Sequence, residues 1–357
     1  MIAGTLSRYI ARRMATSALL VIATIAVIGL LGNYIETLQS YGDEESFNGF
    51  IALKLALLRI PFMIDQILPF AFLFAAILAL VGLSRRQELV VARATGISVW
   101  RFLLPAFLVA FAFGLFATFI LNPVAIELRS ERDKARAEFR TERDDSSAWI
   151  RQGSVDGSSI IYAAQADSES LILFGVTAFV FDADENFREK VTARRADFGA
   201  GEWTLQDATL ISADAARDSI ETYILPTELT GNELRLAIAE PDTFTVWTLP
   251  AFIEAASRAG QNINRFRLTF HALLARPLFL MAMVMIAATV SLRFSRYGGT
   301  LRLVLTGVVG GFLLYVLTEI IGDLGGNGII NPIVAAWLPS IVALTFGGTA
   351  LLYLEDG

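Results

Sequence analysis

The sequence has no cysteine and a single histidine, His271, in 357 residues. The absence of cysteine excludes disulfide bonds, thiolate catalysis, cysteine-ligated zinc and iron–sulfur clusters. One imidazole leaves no histidine-rich metal site and no Ser/His/Asp set that would suggest hydrolysis. The phosphate-binding loop G-x-x-x-x-G-K-[ST] is also missing, so the chain does not bind ATP through such a loop. We therefore expect no catalysis, no metal and no cofactor in this chain.

Charged residues are scarce too, at 18% of the sequence against 55% hydrophobic residues, and the mean hydropathy is +0.56. A soluble domain has about 25% charged residues, so an ordinary cytosolic enzyme is excluded. The charges concentrate between Pro123 and Leu268, where 16 Lys and Arg face 25 Asp and Glu. Because this acidic balance repels phosphate backbones, we expect no nucleic-acid partner.

Long apolar runs lie on both sides of that polar segment. A helix needs about 20 apolar residues to cross the hydrocarbon core of a membrane. Six stretches qualify, near 14–33, 60–83, 101–122, 270–292, 301–322 and 331–353. Arginines precede the first run as in a secretion signal, but its length and the lack of a convincing cleavage site indicate a retained anchor. Residues 47–60 continue the second run outward, which makes its start uncertain.

The positions of Lys and Arg in short loops predict the orientation. The short loops on one side of the membrane carry ten basic residues, whereas those on the other side carry only Lys54 and Arg59. Both termini and the loops near 84–100 and 293–301 are therefore expected in the cytoplasm, and the polar segment in the periplasm of a Gram-negative cell. The ten basic residues on the cytoplasmic side are Arg8, Arg12, Arg13, Arg85, Arg86, Arg93, Arg101, Arg293, Arg296 and Arg302.

The polar segment changes character along its length. Its charged start at 127–145 suits a helix, whereas short β-type runs between polar turns fill residues 149–247. Their regular spacing is typical of a sandwich or jelly roll with six to eight strands. The turn at 182–186 resembles the start of a calcium loop, but Phe187 replaces the required glycine, so we expect an ordinary hairpin. A short helix follows Trp247.

These patterns predict an α+β membrane protein in which a periplasmic β-jellyroll lies between the third and fourth of six transmembrane helices. We expect three regions. Residues 1–122 would hold spans one to three, with a cytoplasmic helix near 85–99. Residues 123–268 would form the periplasmic domain, and residues 269–357 would hold spans four to six.

The cytoplasmic loop between spans two and three predicts a short amphipathic helix that begins near Glu88. Such a helix can dock in a groove of a partner or rest on lipid headgroups. It is similar to the coupling helices of ABC-transporter permeases, in which an acidic residue precedes a small residue and a glycine. The residues that share one helical face are Leu89, Ala92, Gly96 and Val99.

Two further sets of charges are candidates for function. Arg129, Arg132 and Arg136 recur at spacings of three and four, which places them on one helical face, as a cationic rim for an anionic headgroup or as an ordinary solvated face. Charged side chains at membrane depth are costly, which makes them candidates for a proton or ion relay. The alternative is that these side chains extend to the membrane interface and have no such role. Those charges are Asp65, Arg276, Glu319 and Asp323.

Four segments resemble the lipopolysaccharide-export permeases of the LptF/LptG type, and the ending is more similar to LptG than to LptF. The resemblance covers almost the whole chain, with the segments in the same order around a β domain. The segments are SRYIARR, LPFAFLFAAILALVGLSRRQELVVARATGIS, HALLARPLFLMAMVMIAATVSLRFSR and the closing GFLLYV, INPIVAAWLP and LLYLEDG.

The resemblance implies a non-catalytic permease subunit that extracts lipopolysaccharide from the inner membrane and passes it through its jellyroll to a transenvelope bridge. The implied partners are an LptB-type ATPase dimer, which would bind ATP and Mg, an LptF-type second permease, and LptC- and LptA-type periplasmic jellyroll proteins. The implied sites are Glu88, Arg93 and Gly96 for ATPase coupling, Arg129, Arg132 and Arg136 for lipid A phosphates, and Glu319 and Asp323 beside a lateral gate.

One departure concerns the outer end of span one, where LptG-type proteins often carry lysine and residues 33–45 here have neither Lys nor Arg. Either the lipid carries different charges, or Lys54, Arg59 and the arginines after span three compensate.

Two other functions stay open. The chain could be a permease for another lipid or lipoprotein, or a membrane-anchored scaffold whose β domain binds a partner by strand addition.

Overall fold

A computed structural model of the chain describes residues 2–42, 47–88, 91, 94–137, 148–154, 157–167, 171–182, 186–199, 201–212, 217–231, 234, 241–258, 262–291 and 300–355. The chain divides into two compact units. The helical unit comprises Met1–Phe139, Phe244–Glu254 and Asn262–Gly357. The sheet unit comprises Arg140–Thr243 and Ala255–Gln261.

Six of the described helices are long and apolar enough to cross a membrane, which confirms the six predicted spans. A π-helical turn at Ala117–Leu121 joins α3 to α4, so the third span continues into the charged helix predicted after it. The helices are α1 (Ile2–Tyr41), α2 (Gly49–Arg85), α3 (Val99–Phe116), α4 (Asn122–Ala137), α5 (Leu249–Arg258), α6 (Asn264–Ser291), α7 (Thr300–Gly326) and α8 (Pro332–Glu355).

Polar side chains define where two of the spans begin. The Asn48 side chain accepts hydrogen bonds from the backbone N–H groups of Phe50 and Ile51, and α2 starts one residue later. Ser98 accepts from the N–H of Arg101 in the same way at the start of α3. Because these N–H groups have no partner within the helix, a short polar side chain before the first turn fixes the helix start.

The helical unit is packed around α2 and α6. Ala71, Ala75 and Ala79 recur every four residues on α2 and are almost completely buried. Small side chains at this spacing let helices approach closely, which is the main source of helix packing where lipid surrounds the protein. Gly114 of α3 serves the same purpose, since a Cβ at this position would lie 2.4 Å from Cα of Pro277 on α6.

The sheet unit contains one six-stranded antiparallel sheet in the order β1 to β6. This confirms a β domain between the third and fourth spans. Each strand pairs with its chain neighbour, so these six strands form a meander, and jellyroll crossovers do not occur among them. Asp182 and Asn186 lie beside the ends of two paired strands, as the hairpin prediction requires, and residues 183–185 of this turn lie outside the described residues. The strands are Ala148–Ser154, Gly157–Asp167, Ile172–Phe181, Phe187–Gly199, Glu202–Ser212 and Arg217–Pro226.

One face of the sheet is buried around Trp203. Its indole N–H donates to the Gln152 side-chain oxygen at 3.0 Å, and its ring meets Phe198 edge to face. The Tyr223 hydroxyl donates to the Glu189 carboxylate at 2.6 Å. Burial and this hydrogen bond both raise the pKa of Tyr223 above its ordinary value. These hydrogen bonds pair the polar atoms of the two rings, while the side-chain nitrogen of Gln152 stays buried without a hydrogen-bond partner among the described residues.

Candidate functional site

The segment between α2 and α3 turns sharply at its start and at its end. Gln87 has φ of 59°, a left-handed conformation that is uncommon for a residue with a side chain. Gly96 has φ of 79° at the other end, and no atom would obstruct a Cβ there. Gly96 is therefore required by its backbone angle and not by the space around it.

Between these turns the backbone is helical where it is described. The N–H of Val91 donates to the carbonyl of Gln87, and that of Thr95 donates to the carbonyl of Val91. Arg93 lies outside the described residues. Glu88 comes directly after the first turn, with its side chain half-buried. The Glu88 carboxylate accepts a hydrogen bond at 3.2 Å from the hydroxyl of Tyr9, which lies on α1.

The three arginines of the predicted rim lie on α4, and two of them contact aromatic side chains of α1 and α2. The Arg129 guanidinium lies over the ring of Phe62, 4.8 Å from its centroid. Arg136 donates two hydrogen bonds, at 3.0 and 2.8 Å, to the hydroxyl of Tyr41, the last residue of α1. Rings on one side of each guanidinium hold its plane in place, because cations bind the electron-rich face of an aromatic ring.

Arg132 lies between those two arginines in the chain, and its Nε is buried without a hydrogen-bond partner in the described part of the protein. It is subject to repulsion from Arg136 and Arg59 and to attraction from Asp133 and Glu36. Arg59 itself binds Glu36 at 3.1 Å. Arg59, Arg129, Arg132 and Arg136 are called the arginine cluster below.

The arginine cluster is suited to an anion with several oxygens. A buried donor without an acceptor costs about 1–3 kcal/mol, so the Nε of Arg132 would gain from an acceptor that enters the cluster. Guanidinium groups match the geometry of phosphate and bind it with paired N–H donors. Sequence spacing predicted that the α4 arginines share a face, and Arg59 was among the residues expected to compensate for the missing lysine. Tyr41 and Phe62, which other helices supply, were missed.

Two of the charges at membrane depth pair with each other. Arg276 of α6 binds Asp65 of α2 through both terminal nitrogens, and the longer of the two hydrogen bonds is 3.0 Å. The side chains are only 18% and 11% exposed. This bidentate arrangement satisfies the donors and acceptors that face each other and neutralises both charges inside the helical unit.

Glu319 and Asp323 occupy a different place. Both lie exposed on α7, one helical turn apart. The preceding turn holds Tyr315, whose ring packs against Phe70 of α2 at 4.9 Å. The outward face of α7 is otherwise apolar, as the exposed Phe312 and Leu317 show. The two acidic residues therefore border a surface that lipid or another protein would cover.

The described residues contain no group of three or more His, Asp or Glu side chains that could hold a metal ion. Helices α1, α2 and α4 contribute to two separate candidate sites in the helical unit, apart from the ion pair of Asp65 with Arg276. One surrounds Glu88 at the start of α1 and the end of α2. The other is the arginine cluster, at the end of α1 and the start of α2.

Comparisons with known proteins give one consistent result. The sequence profile of the family described as "Lipopolysaccharide export system permease LptF/LptG" matches residues 8–353. The lipopolysaccharide export system permease protein LptG of Haemophilus influenzae is 25% identical over 352 residues, which cover 95% of this chain and 96% of that protein. LptG of Escherichia coli K12 is 23% identical over 349 residues, 94% of this chain and 95% of that protein.

Proposed function

The chain belongs to the LptF/LptG family of lipopolysaccharide export permeases, and we propose that an ATPase in another chain drives lipopolysaccharide out of the inner membrane through it. The observation that carries this proposal is the family match over residues 8–353. The six spans and the inserted sheet support it, since they supply both a membrane passage and an extramembrane domain.

The protein is a multi-pass inner-membrane protein, and the charge distribution supports one orientation. Basic residues concentrate near the N-terminus and in the short loops near 84–100 and 293–301. By the positive-inside rule these loops lie in the cytoplasm, where ATP is available. The sheet unit and the arginine cluster then lie on the periplasmic side. From there the sheet would pass lipid to LptC- and LptA-type proteins.

The segment from Gln87 to Gly96 is the proposed docking site for an LptB-type ATPase dimer. Its two left-handed turns fix where the segment starts and stops, and Glu88 offers a charge that a cationic residue of the ATPase can bind. ATP and Mg would be bound by that partner. A second permease, of the LptF type, would pack on the exposed faces of α1 and α7, beside Glu319 and Asp323.

The arginine cluster is the proposed site for the phosphates of the lipopolysaccharide headgroup. It combines four cationic groups with two neighbouring carboxylates, those of Glu36 and Asp133. Arg59 belongs to the cluster, which supports the alternative in which Lys54, Arg59 and the arginines after span three compensate for the lysine missing from span one. The orphan Nε of Arg132 is the donor that a phosphate oxygen would complete.

Reversing two charges of the arginine cluster should weaken its contact with the lipid. With a photo-crosslinking phenylalanine derivative at position 62, the Arg132→Glu/Arg136→Glu variant should capture lipopolysaccharide about ten-fold less, since charged hydrogen bonds are lost and like charges now face the phosphates. Lys134→Glu is the control, because it reverses one positive charge on the same helix at an exposed position. Equal crosslinking in both variants would contradict this site and show that the α4 arginines form an ordinary solvated helix face.

The proposed function is tested by isolating the tagged chain from native membranes in mild detergent and identifying the bound proteins and lipids by mass spectrometry. We expect a P-loop ATPase, a second six-span permease and lipopolysaccharide together. A permease of another lipid would bring the ATPase with a different lipid. Isolation with periplasmic proteins alone would contradict ATP-driven transport and favour the scaffold function.

A further inference from the structure

Glu88 is held by a chain of hydrogen bonds that begins on α1. The side chain of Arg13 donates to the Tyr9 hydroxyl at 3.0 Å, and that hydroxyl donates to the Glu88 carboxylate at 3.2 Å. Arg13 and Tyr9 are one helical turn apart, whereas Glu88 lies 79 residues further along the chain. The hydroxyl thus accepts from a cation and donates to an anion, which polarises both hydrogen bonds in the same sense.

The same arginine touches the last turns of α2. A Cβ at Gly82 would lie 2.6 Å from a terminal nitrogen of Arg13, so only the absence of a side chain at Gly82 makes room for the guanidinium. The carbonyl of Gly82 accepts the N–H of Arg86, at the end of α2. Arg13 therefore lies against the backbone from which the segment with Glu88 departs. The left-handed turn at Gln87 and the Tyr9 hydroxyl together fix the direction of the Glu88 side chain.

Helix α1 carries these contacts to the opposite side of the membrane. It runs without interruption from Ile2 to Tyr41 and contains no proline, whereas α2, α3, α6 and α8 each contain at least one. Tyr9 and Tyr41 are 32 residues apart, or about 48 Å at 1.5 Å per residue. The hydroxyl of Tyr41 receives both hydrogen bonds from Arg136. One continuous helix thus has a tyrosine bound to Glu88 near one end and a tyrosine bound to the arginine cluster at the other.

We propose that Tyr9 is a positioning residue that joins Glu88 to α1, so that a displacement of the ATPase-docking segment moves α1 and, through Tyr41, the arginine cluster. This inference rests on the proposed function of Glu88. An unkinked helix transmits displacement because its hydrogen-bonded backbone resists bending, whereas proline weakens the backbone ladder where it occurs. Loss of the Tyr9 hydroxyl would leave the ATPase contact in place but disconnect it from the lipid site.

The test compares Tyr9→Phe with Tyr353→Phe in the complete exporter, reconstituted in lipid nanodiscs with lipopolysaccharide. Tyr353 is an exposed tyrosine of α8 whose hydroxyl makes no hydrogen bond in the described parts of the chain. ATP hydrolysis, lipopolysaccharide released per ATP and copurified ATPase are measured together. For Tyr9→Phe we expect unchanged ATPase binding and a release per ATP that is lower by about ten-fold or more, the effect of losing one hydrogen bond to a charged group. Tyr353→Phe should match the unmodified chain.

Two results for Tyr9→Phe would overturn the inference. The first is a release per ATP equal to that of Tyr353→Phe. The second is a parallel loss of ATPase binding and thermal stability, which would give Tyr9 a purely structural role. Glu88→Gln adds a double-mutant cycle. If Tyr9 acts through Glu88, Tyr9→Phe has a smaller effect in the Glu88→Gln background, because the neutral amide oxygen accepts a weaker hydrogen bond than the carboxylate. An effect of Tyr9→Phe as large as in the unmodified chain would contradict that route.

The Glu88→Ala variant separates this inference from the proposed function. Normal export by Glu88→Ala would remove the ATPase-docking role itself, whatever Tyr9→Phe does. If Glu88→Ala abolishes export and Tyr9→Phe behaves as Tyr353→Phe, then the docking role stands and only the connection through α1 is wrong.

Discussion

Replacement of Glu88 by alanine is expected to abolish lipopolysaccharide export while the chain remains folded. Glu88 is half-buried, and the contact of its carboxylate is with the Tyr9 hydroxyl. Substitutions outside the core generally change stability by less than about 0.5 kcal/mol. Loss of one partner of a charge pair at an interface costs about 2–5 kcal/mol, or at least about 30-fold in affinity for the ATPase.

The measurements are growth of cells that depend on this chain, the rate of lipid export, and the amount of ATPase that copurifies. Glu221→Ala is the matched control, because it removes an exposed glutamate from β6 in the sheet unit. Glu88→Gln keeps the shape of the side chain and removes its charge, so it reports how much of the contact depends on charge. Normal growth and normal export in Glu88→Ala would overturn the assignment of this segment to ATPase coupling.

Loss of Arg276 is expected to destabilise the helical unit strongly. Arg276→Ala leaves the carboxylate of Asp65, which is 11% exposed, without its partner. Removal of one member of a buried ion pair costs about 3–5 kcal/mol. Thermal unfolding in detergent and the amount of protein in the membrane should both fall. Arg194→Ala provides the comparison, since its ion pair with Asp207 is largely exposed and should be worth no more than about 1 kcal/mol.

A double variant, Asp65→Leu/Arg276→Met, separates a structural role of this pair from a role in transport. Replacement of both partners by apolar groups of similar size is often neutral or stabilising, so the double variant should recover most of the lost stability. Full export by a stable double variant would exclude an ion relay through Asp65 and Arg276. An unstable double variant, together with a stable Arg276→Ala single variant, would contradict the packing shown by the structure.

The helices and the inserted sheet could be predicted because each leaves a local pattern in the sequence. Apolar runs identify the six spans, and short alternating runs identify the strands. The same patterns did not give the helix ends. The first apolar run ends near residue 33, but α1 continues to Tyr41. An apolar run ends where the side chains become polar, whereas a helix ends only where its backbone hydrogen bonds end.

The contacts within the candidate sites could be predicted only along a single helix. Spacings of three and four placed Arg129, Arg132 and Arg136 on one face of α4, and all three arginines interact with groups of α1 or α2. The partners of Glu88 and Asp65 lie 79 and 211 residues away. Pairing across such distances depends on how each helix is rotated and shifted against its neighbours, and a single sequence contains no local signal for it.

The ion pair between Asp65 and Arg276 also sets an order of events during synthesis. At about 5–20 residues per second, the 211 residues that separate its members take about 10–40 s to be made. During that time the second span enters the membrane with an unpaired charge, at a cost of about 2.5–3.5 kcal/mol for a central position. The entire sheet is made in the same interval. A chain that stops before the fourth span therefore keeps the Asp65 carboxylate without its partner, and the pair forms only once Arg276 has been made.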